Sequence, residues 1–514
     1  TETSAAATEA GSTGNTAESG TITMAMVSAW DSIIPFDTTS SYSDVVLDLI
    51  YDKLVYLKQD GTYEPRLADK WSMSDDNKVL TVHLNENAKW QDGEPVTADD
   101  VVFTMQLYNS PSAAVVRQNN VSPFAGFKEG DDSLQVKAVD EHTVEMTCAE
   151  PTNMDFLFFI KFRDIYILPK HLLGDTPYAD IRNNSYWEKP VGSGPCIYES
   201  QISGERMEFK ANKDYYLKTP QWDRFVVKVV ATPSLLSGLM NNEIDILAGN
   251  VASLQLSDWD MAKQQQNLTC VSTESVGYQY MAINTGKDYM PAKVRQAIDM
   301  AINRDAIVSG LLKGEGEPAF GPFAKSHKYY DDVVNVGYNP EKAKELLAEA
   351  GWDGSHELVF SVPTGNSIRE QAAVIIQQNL QEVGIKTKIE SADFATHLTK
   401  VREGNYDLGL IGSGGSPDPS ECVINFKPDH INNFSHLSDW TIYDTGAEGE
   451  HAFSFEDRKA DYDKYQEILV DQVPFCFLYF QNNLFAYNNR IGNVKDNQDY
   501  SQLNRDVWNW TIEK

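Results

Sequence analysis

A chain of 514 residues, 41% hydrophobic and 23% charged, exceeds what one hydrophobic core holds, which excludes a single small domain, wholesale disorder and a fibrous class. Its 43 Lys and Arg stand against 75 Asp and Glu, a formal net charge of −32 with no basic block, so phosphate backbones and anionic headgroups are repelled and nucleic acid is excluded as a partner. The most apolar short runs, Phe156 to Ile160 and Phe475 to Phe480, fall far below the ~18 residues of a spanning helix.

Residues 1–20 contain no aromatic and only Ala as an apolar residue. Such a composition buries too little surface to offset ordering entropy, so this stretch reads as a disordered tether, as expected after processing of a secretory precursor. From Thr21 onward short apolar strands alternate with amphipathic helices, the pattern of an α/β architecture. In the segment 96–108, Thr97 caps a helix and Asp100 completes a capping box three residues on, ahead of Val101, Val102 and Met105. Further along, Thr232 reads as a cap and Pro233 as a first helical residue, with Leu235, Leu236 and Leu239 on one face. Asn241 and Asn242 end that helix before a strand from Ile244 to Leu247.

Val294, Ala297, Ile298, Ala301 and Ile302 form one buried face, and Asn303 breaks that helix before a second helical turn. Asn339 caps the next helix, Pro340 opens it, Ala343, Leu346, Leu347 and Ala350 make its stripe, and Gly351 stops it. The five cysteines, Cys148, Cys196, Cys270, Cys422 and Cys476, lie far apart with no CxxC or Cys/His cluster and read as buried thiols. No internal repeat of fixed period is present.

The constellations that catalysis requires are missing. There is no HExxH, phosphate loop, GxGxxG after a strand or GxSxG elbow, and Ser413 among Gly412, Gly414 and Gly415 lacks the spacing of a nucleophile turn. The nine histidines are scattered singly. Asp99/Asp100 and Asp131/Asp132 fall in caps or polar loops rather than in an acid/base pair, and Asp496 to Asp499 lacks the glycine and terminal glutamate of a calcium loop. No enzyme activity, cofactor or metal is expected.

The segment Leu67 to Thr104, with Asp92-Gly93 and Ala98-Asp99-Asp100-Val101, resembles the signature block of the family 5 extracellular solute-binding proteins of ABC importers. Further resemblances follow in the family's order: Gly192 to Tyr198, Asn212 to Tyr216, Asn241 to Leu247, Asn284 to Val308, Asn339 to Gly351, Leu380 to Glu390, Glu403 to Pro419 and Val473 to Phe480. The resemblance implies a two-lobed, periplasmic-binding-protein-like (type II) α/β fold with two hinge crossings and an extra inserted subdomain. Residues 21–60, 190–275 and 476–514 would form lobe I, 61–189 its inserted subdomain, and 276–475 lobe II. It also implies partners: a small-molecule ligand closed between the lobes, and ABC permease subunits with an ATPase. The protein would act as a monomer at the extracellular face of the membrane or in the periplasm, touching the membrane only through a possible lipid anchor ahead of Thr1.

In peptide-binding members of the family an acidic residue shortly before the Asp-Pro pair holds the peptide's amino terminus, and a Trp follows the preceding glycine. Here Ser413 stands in the place of the Trp and Ser416 about where the acid falls, which leaves Asp418 as the substitute. A buried ammonium without a carboxylate costs on the order of several kcal/mol, so the oligopeptide-like solute that the resemblance implies has oligosaccharides of the same family's sugar-binding members as its alternative. For a sugar, Trp30, Phe36, Tyr42, Trp440 and Tyr443 lie in segments that resemble pocket linings. For a peptide, Arg117 and Arg369 could take a carboxylate by bidentate pairing. A hydrolase on the same scaffold would need a nucleophile or acid/base pair for which no motif is present. A receptor that senses without transport would share every residue named.

Overall fold

The computed structural model describes residues 20–57, 63–416, 418–494 and 506–513. Apart from Gly20, the expected tether lies outside the described residues, as does Asp496 to Asp499. Two large sheets organise the chain. The first orders its strands as Leu268–Thr273, Asn483–Asn488, Ile246–Leu247, Thr21–Met26, Arg224–Val229, Arg206–Ala211 and Cys196–Ile202. Thr21–Met26 sits at its centre, with Met24 opposite Val227 on one side and Ile246 on the other. Ile22, Met24, Ala25 and Met26 are all buried there, which is why this short run is apolar on both faces.

The second sheet runs Gly316–Pro318, Phe475–Gln481, Tyr278–Ile283, Leu408–Ser413, Glu357–Pro363 and Lys386–Ala392. Separate apolar clusters cover it: Met281, Ile298, Phe360 and Leu410 lie in one, and Tyr280, Val423, Phe426 and Tyr465 in the other. A four-stranded sheet, Ala68–Met73, Val79–Leu84, Thr143–Thr147 and Val136–Ala138, makes the inserted subdomain. Its core is continuous with that of the first lobe, since Leu80, Val82 and Trp90 belong to the same cluster as Met24 and Phe225.

The chain passes between the large sheets twice, from Thr273 to Tyr278 and at Asn482. The second passage corrects the boundary expected at 475/476: Phe475–Gln481 pairs with Tyr278–Ile283 and Gly316–Pro318, so residues 476–481 are a central part of lobe II. All seven residues of this strand but Gln481 are buried, and an apolar run without alternation does not reveal which sheet claims it.

The local signals have identifiable causes. Thr97 and Asp100 form the expected capping box, and Asp100 also accepts from Trp90 Nε1 (3.2 Å) and from the Lys170 amide (2.8 Å), fastening two segments of the subdomain. Asn339 accepts from the Lys342 amide with Pro340 opening Pro340–Glu349, and Asn303 accepts from the Ala306 amide after the helix Ala292–Ala301 has ended. The cap expected at Thr232 is displaced. Thr232 and Pro233 already lie in a 3-10 turn capped by Ala231, with the α-helix starting at Leu235, and the following strand shortens to Ile246–Leu247. All five cysteines are free thiols, four buried and Cys270 half-buried.

Candidate functional site

A cavity of about 950 Å³ lies between the two lobes, near the top of the range for small-molecule sites and large enough for ~30 waters. Lobe I supplies one wall. The helix Ser41–Ile50 carries Tyr42, Asp44, Val45 and Asp48 toward the cavity, and Lys53 and Tyr56 follow it. Asp44 and Asp48 are one helical turn apart, so they project from the same side of a helix whose residues around them, Val45, Val46, Leu47, Leu49 and Ile50, are apolar.

Ion pairs knit this wall together. Lys53 Nζ is 3.0 Å from Asp48 and lies over the rings of Tyr166 and Tyr56, and both tyrosine hydroxyls donate to Asp48 Oδ1. Arg117 pairs with Asp164 at 3.0 Å and with Asp44 at 3.4 Å. Burial raises the Asp44 carboxyl despite Lys53 and Arg117. Burial also opposes ionisation of Asp164, but Arg163, Arg117 and Lys53 outweigh it and hold that carboxyl below its usual range.

The opposite wall comes from the first crossing and lobe II: Glu274, Ser275, Val276, Gly277, Gln279, Ser413, Gly414, Gly415, Glu421 and Gln481. Two backbones meet at its floor. Gly415 has φ +67°, and a Cβ there would stand 1.8 Å from the Val276 carbonyl oxygen, so only glycine admits this approach. Among the described residues the backbone N–H groups of Val276 and Gly414 have no partner, leaving main-chain donors at the cavity floor. Beside them, Arg369 Nε donates to Gln279 Oε1 at 2.9 Å, and both side chains lie over Gly412, where a Cβ would meet Gln279 Nε2 at 2.5 Å and Arg369 Nη2 at 2.9 Å. No carboxylate of the described residues pairs with Arg369, and burial lowers its pKa against the opposing pull of Tyr479 and Tyr280.

The lobes also touch at both ends of the cavity. At the crossings Glu315 of lobe II accepts from Trp259 Nε1 and Ser272 Oγ, both of lobe I and both at 2.6 Å. At the far end Arg163 of the subdomain reaches Glu421 of lobe II at 3.0 Å, and Asn153 Nδ2 donates to the Ala452 carbonyl.

Of the residues singled out from sequence, Tyr42, Arg117 and Ser413 line the cavity, and Arg369 adjoins it through Gln279. The others lie elsewhere. Trp30 donates to Gln201 on the lobe I sheet, and Phe36 is fully buried edge-on to Trp187. Trp440 and Tyr443 pack on each other under Lys427, away from the cavity. Ser416 is buried and accepts from the Asp418 amide; Asp418 is itself buried on Arg458 at 3.0 Å, with Ser420 Oγ also donating to it. Arg117 is held between two carboxylates, Asp44 and Asp164. Sequence reasoning missed Asp44, Asp48, Lys53, Arg163, Asp164, Glu274, Gln279 and Glu421. Only the first two left a signal, as charges one turn apart inside an apolar run.

Among the described residues no group of His, Cys, Asp and Glu is arranged to hold a metal ion, and no helix is long and apolar enough to cross a membrane. A sequence profile described as "Bacterial extracellular solute-binding proteins, family 5 Middle" matches residues 62–433. The chain is similar to the oligopeptide-binding protein AppA of Bacillus subtilis, 27% identical over 92% of this chain and 88% of that protein. It is similar also to the dipeptide-binding protein of Escherichia coli, 29% identical over 85% of this chain and 84% of that protein. In fold it matches the crystal structure of the ABC transporter substrate-binding protein CtaP of Listeria monocytogenes, with a TM-score of 0.85, 23% identity, and coverage of 96% of this chain and 99% of that one.

Proposed function

The chain belongs to family 5 of the bacterial extracellular solute-binding proteins, and from that premise we propose that it captures an oligopeptide between its lobes, without turnover, for an ABC importer. The observation that carries the ligand class is the composition of the cavity. A peptide in extended form needs main-chain partners and a site for its terminal carboxylate. The floor supplies N–H groups at Val276 and Gly414 that are unpaired among the described residues, and Arg369, which adjoins the cavity through Gln279, supplies a guanidinium that none of the described carboxylates pairs with. An oligosaccharide needs aromatic faces, and of the aromatic side chains among the described residues only Tyr42 and Tyr56 line the cavity, Tyr56 being 3% exposed. The platforms expected at Trp30, Phe36, Trp440 and Tyr443 point elsewhere, so the peptide reading is the better supported. The names of the relatives, oligopeptide- and dipeptide-binding proteins, run the same way.

In this reading the protein works as a monomer outside the cytoplasm, tethered by a lipid ahead of Thr1, and hands its ligand to permease subunits driven by an ATPase. Affinity in the micromolar range or tighter corresponds to about −8 kcal/mol or more favourable. Calorimetry of the purified chain against tetrapeptides with free termini, their C-amidated forms, and α- and β-linked oligosaccharides tests it. Heat is expected with the free peptides, with amidation weakening binding in the wild type and much less in Arg369→Met. Heat with sugars alone refutes the reading.

A further inference from the structure

The two crossings are not separate linkers. Leu268–Thr273 and Asn483–Asn488 pair antiparallel in the first sheet, Tyr278–Ile283 and Phe475–Gln481 pair antiparallel in the second, and each strand of one pair runs directly into a strand of the other. The hinge is therefore a single two-stranded ribbon, with Thr273–Asn483 as the last ladder pair on the lobe I side and Tyr278–Phe480 on the lobe II side. Rotation of one lobe against the other bends this ribbon between those pairs, and none of them is lost by bending there.

One side chain spans the gap. Glu315 belongs to lobe II, where the next residue, Gly316, lies so close on the strand Phe475–Gln481 that a Cβ would stand 2.4 Å from the Phe480 carbonyl oxygen. Its own carbonyl accepts from the Asn482 amide at 3.1 Å, in the second crossing. From this fixed base the carboxylate reaches lobe I with both oxygens. Oε1 accepts from Trp259 Nε1 on the helix Leu256–Lys263, and Oε2 from Ser272 Oγ on the strand that enters the first crossing, each at 2.6 Å. Ser272 Oγ accepts in turn from Asn482 Nδ2 at 2.9 Å, so both lobes meet in one chain of hydrogen bonds. Trp259 is firmly seated, 4% exposed within the core that also holds Met24. The neighbouring ion pair Lys313–Asp260, at 3.3 Å with both side chains more than half exposed, is screened by solvent and adds little.

A single bond across a hinge acts as a pivot. Two bonds from one carboxylate to two separate elements of lobe I fix an orientation as well, because a hydrogen bond is lost once its partners part by about 1 Å and a rotation cannot carry both donors along. We propose that Glu315 is a stop on the hinge: its carboxylate splints the ribbon, holds the lobes near the angle at which they touch at both ends of the cavity, and yields only when the cleft opens wide. Small excursions at the Arg163–Glu421 end keep the splint, and the resting width of the cleft is set at the crossings rather than by what lies between the lobes.

The test measures the distance between lobes on the full chain with no ligand added, so its outcome does not depend on the peptide reading. Nitroxides are placed at Ile202→Cys of lobe I and Val374→Cys of lobe II, each 46% exposed, in a Cys270→Ser background whose other four cysteines are buried, and read by double electron–electron resonance. The labelled parent is expected to give one narrow distance distribution. In Glu315→Gln, whose amide has one acceptor oxygen for two donors, a second distance grows in and the ratio of open to closed molecules rises roughly 10- to 100-fold, as for loss of one charge-assisted hydrogen bond. Trp259→Phe gives a shift of the same kind, and the double variant opens less than the product of the two single changes, because both act on one carboxylate. Lys313→Met leaves the distribution as it was. A parent that is already broad or mostly open overturns the proposal, as does a Glu315→Gln distribution that matches the parent's. A melting temperature lowered in Glu315→Gln and Trp259→Phe with distances unchanged assigns the contacts to stability alone and likewise refutes the stop.

Discussion

Asp418 is the residue on which two accounts of the site diverge, and Arg458 decides between them. Their side chains are 2% and 1% exposed and 3.0 Å apart, and Arg458 is also held by the Gly449 carbonyl at 2.9 Å and by the rings of Tyr329 and Tyr462. In Arg458→Met a buried carboxylate loses its counter-charge while Glu450 remains close by, and removing one partner of such a pair costs about 3–5 kcal/mol. For a lobe of roughly 200 residues each kcal/mol is worth about 2–4 °C, so the lobe II transition should fall by roughly 6–20 °C. The double variant Asp418→Asn/Arg458→Met, which removes both charges, should recover most of that loss, because the cost lies in the orphaned charge rather than in the missing attraction. Differential scanning calorimetry reads both variants. A melting point for Arg458→Met within about 2 °C of the wild type refutes the structural reading. So does an Asp418→Asn protein that melts normally but no longer distinguishes free from N-acetylated peptides, since Asp418 would then be the ammonium clamp.

Gly415→Ala should lower both stability and affinity, because φ +67° and the Val276 carbonyl at 1.8 Å from the new Cβ force the two floor segments apart. A cost of about 1–3 kcal/mol in thermal unfolding and at least a tenfold weaker calorimetric Kd are expected, and unchanged binding would show that the floor takes no part. Glu450 is driven by burial and by Asp418 from 4.5 to about 7, against the pull of Arg458 and Lys161. Its folded form holds the proton more tightly than the unfolded chain does, so its contribution is complete below about pH 4.5 and is lost as pH rises through about 7. Glu450→Gln should therefore stabilise the protein at pH 8 by on the order of 1–3 kcal/mol and change little at pH 4.5. Equal shifts at both pH values in a fluorescence melting series would contradict the assignment.

What the sequence revealed and what it hid follow from the range of each interaction. The capping box at Thr97 and Asp100 and the Asn339-Pro340 start involve residues at most three apart, and both stand as read. The cap at Thr232 moved to Ala231, whose side chain carries no capping group and so left no mark in the sequence. The second crossing at Asn482 was hidden because Phe475–Gln481 is apolar throughout, a signal of burial but not of partnership. Aromatic residues misled for a related reason: Phe36 faces the core and Tyr42 the cavity six positions later, and composition does not separate the two. Arg163 and Glu421 meet only because a subdomain and a lobe fold toward each other, which no local pattern encodes.

The pairing of lobe I charges among themselves has a consequence for selectivity. A wall whose three carboxylates and three cations already satisfy one another neither attracts nor repels a side chain strongly, and the lining also offers small polar groups at Ser41, Ser253, Ser275, Asn482 and Asn483, which water can bridge, beside apolar ones at Val45, Val55, Leu57 and Val251. Side chains of the ligand would then rest against solvent that rearranges to suit them, while its backbone and terminal carboxylate are held by fixed groups on lobe II. Selection by backbone and carboxyl end gives broad tolerance of sequence, because a free peptide of any composition carries the same terminal charge. The contacts at Glu315 fasten the crossing end of the cleft, so opening at the other end parts Arg163 from Glu421 and Asn153 from the Ala452 carbonyl.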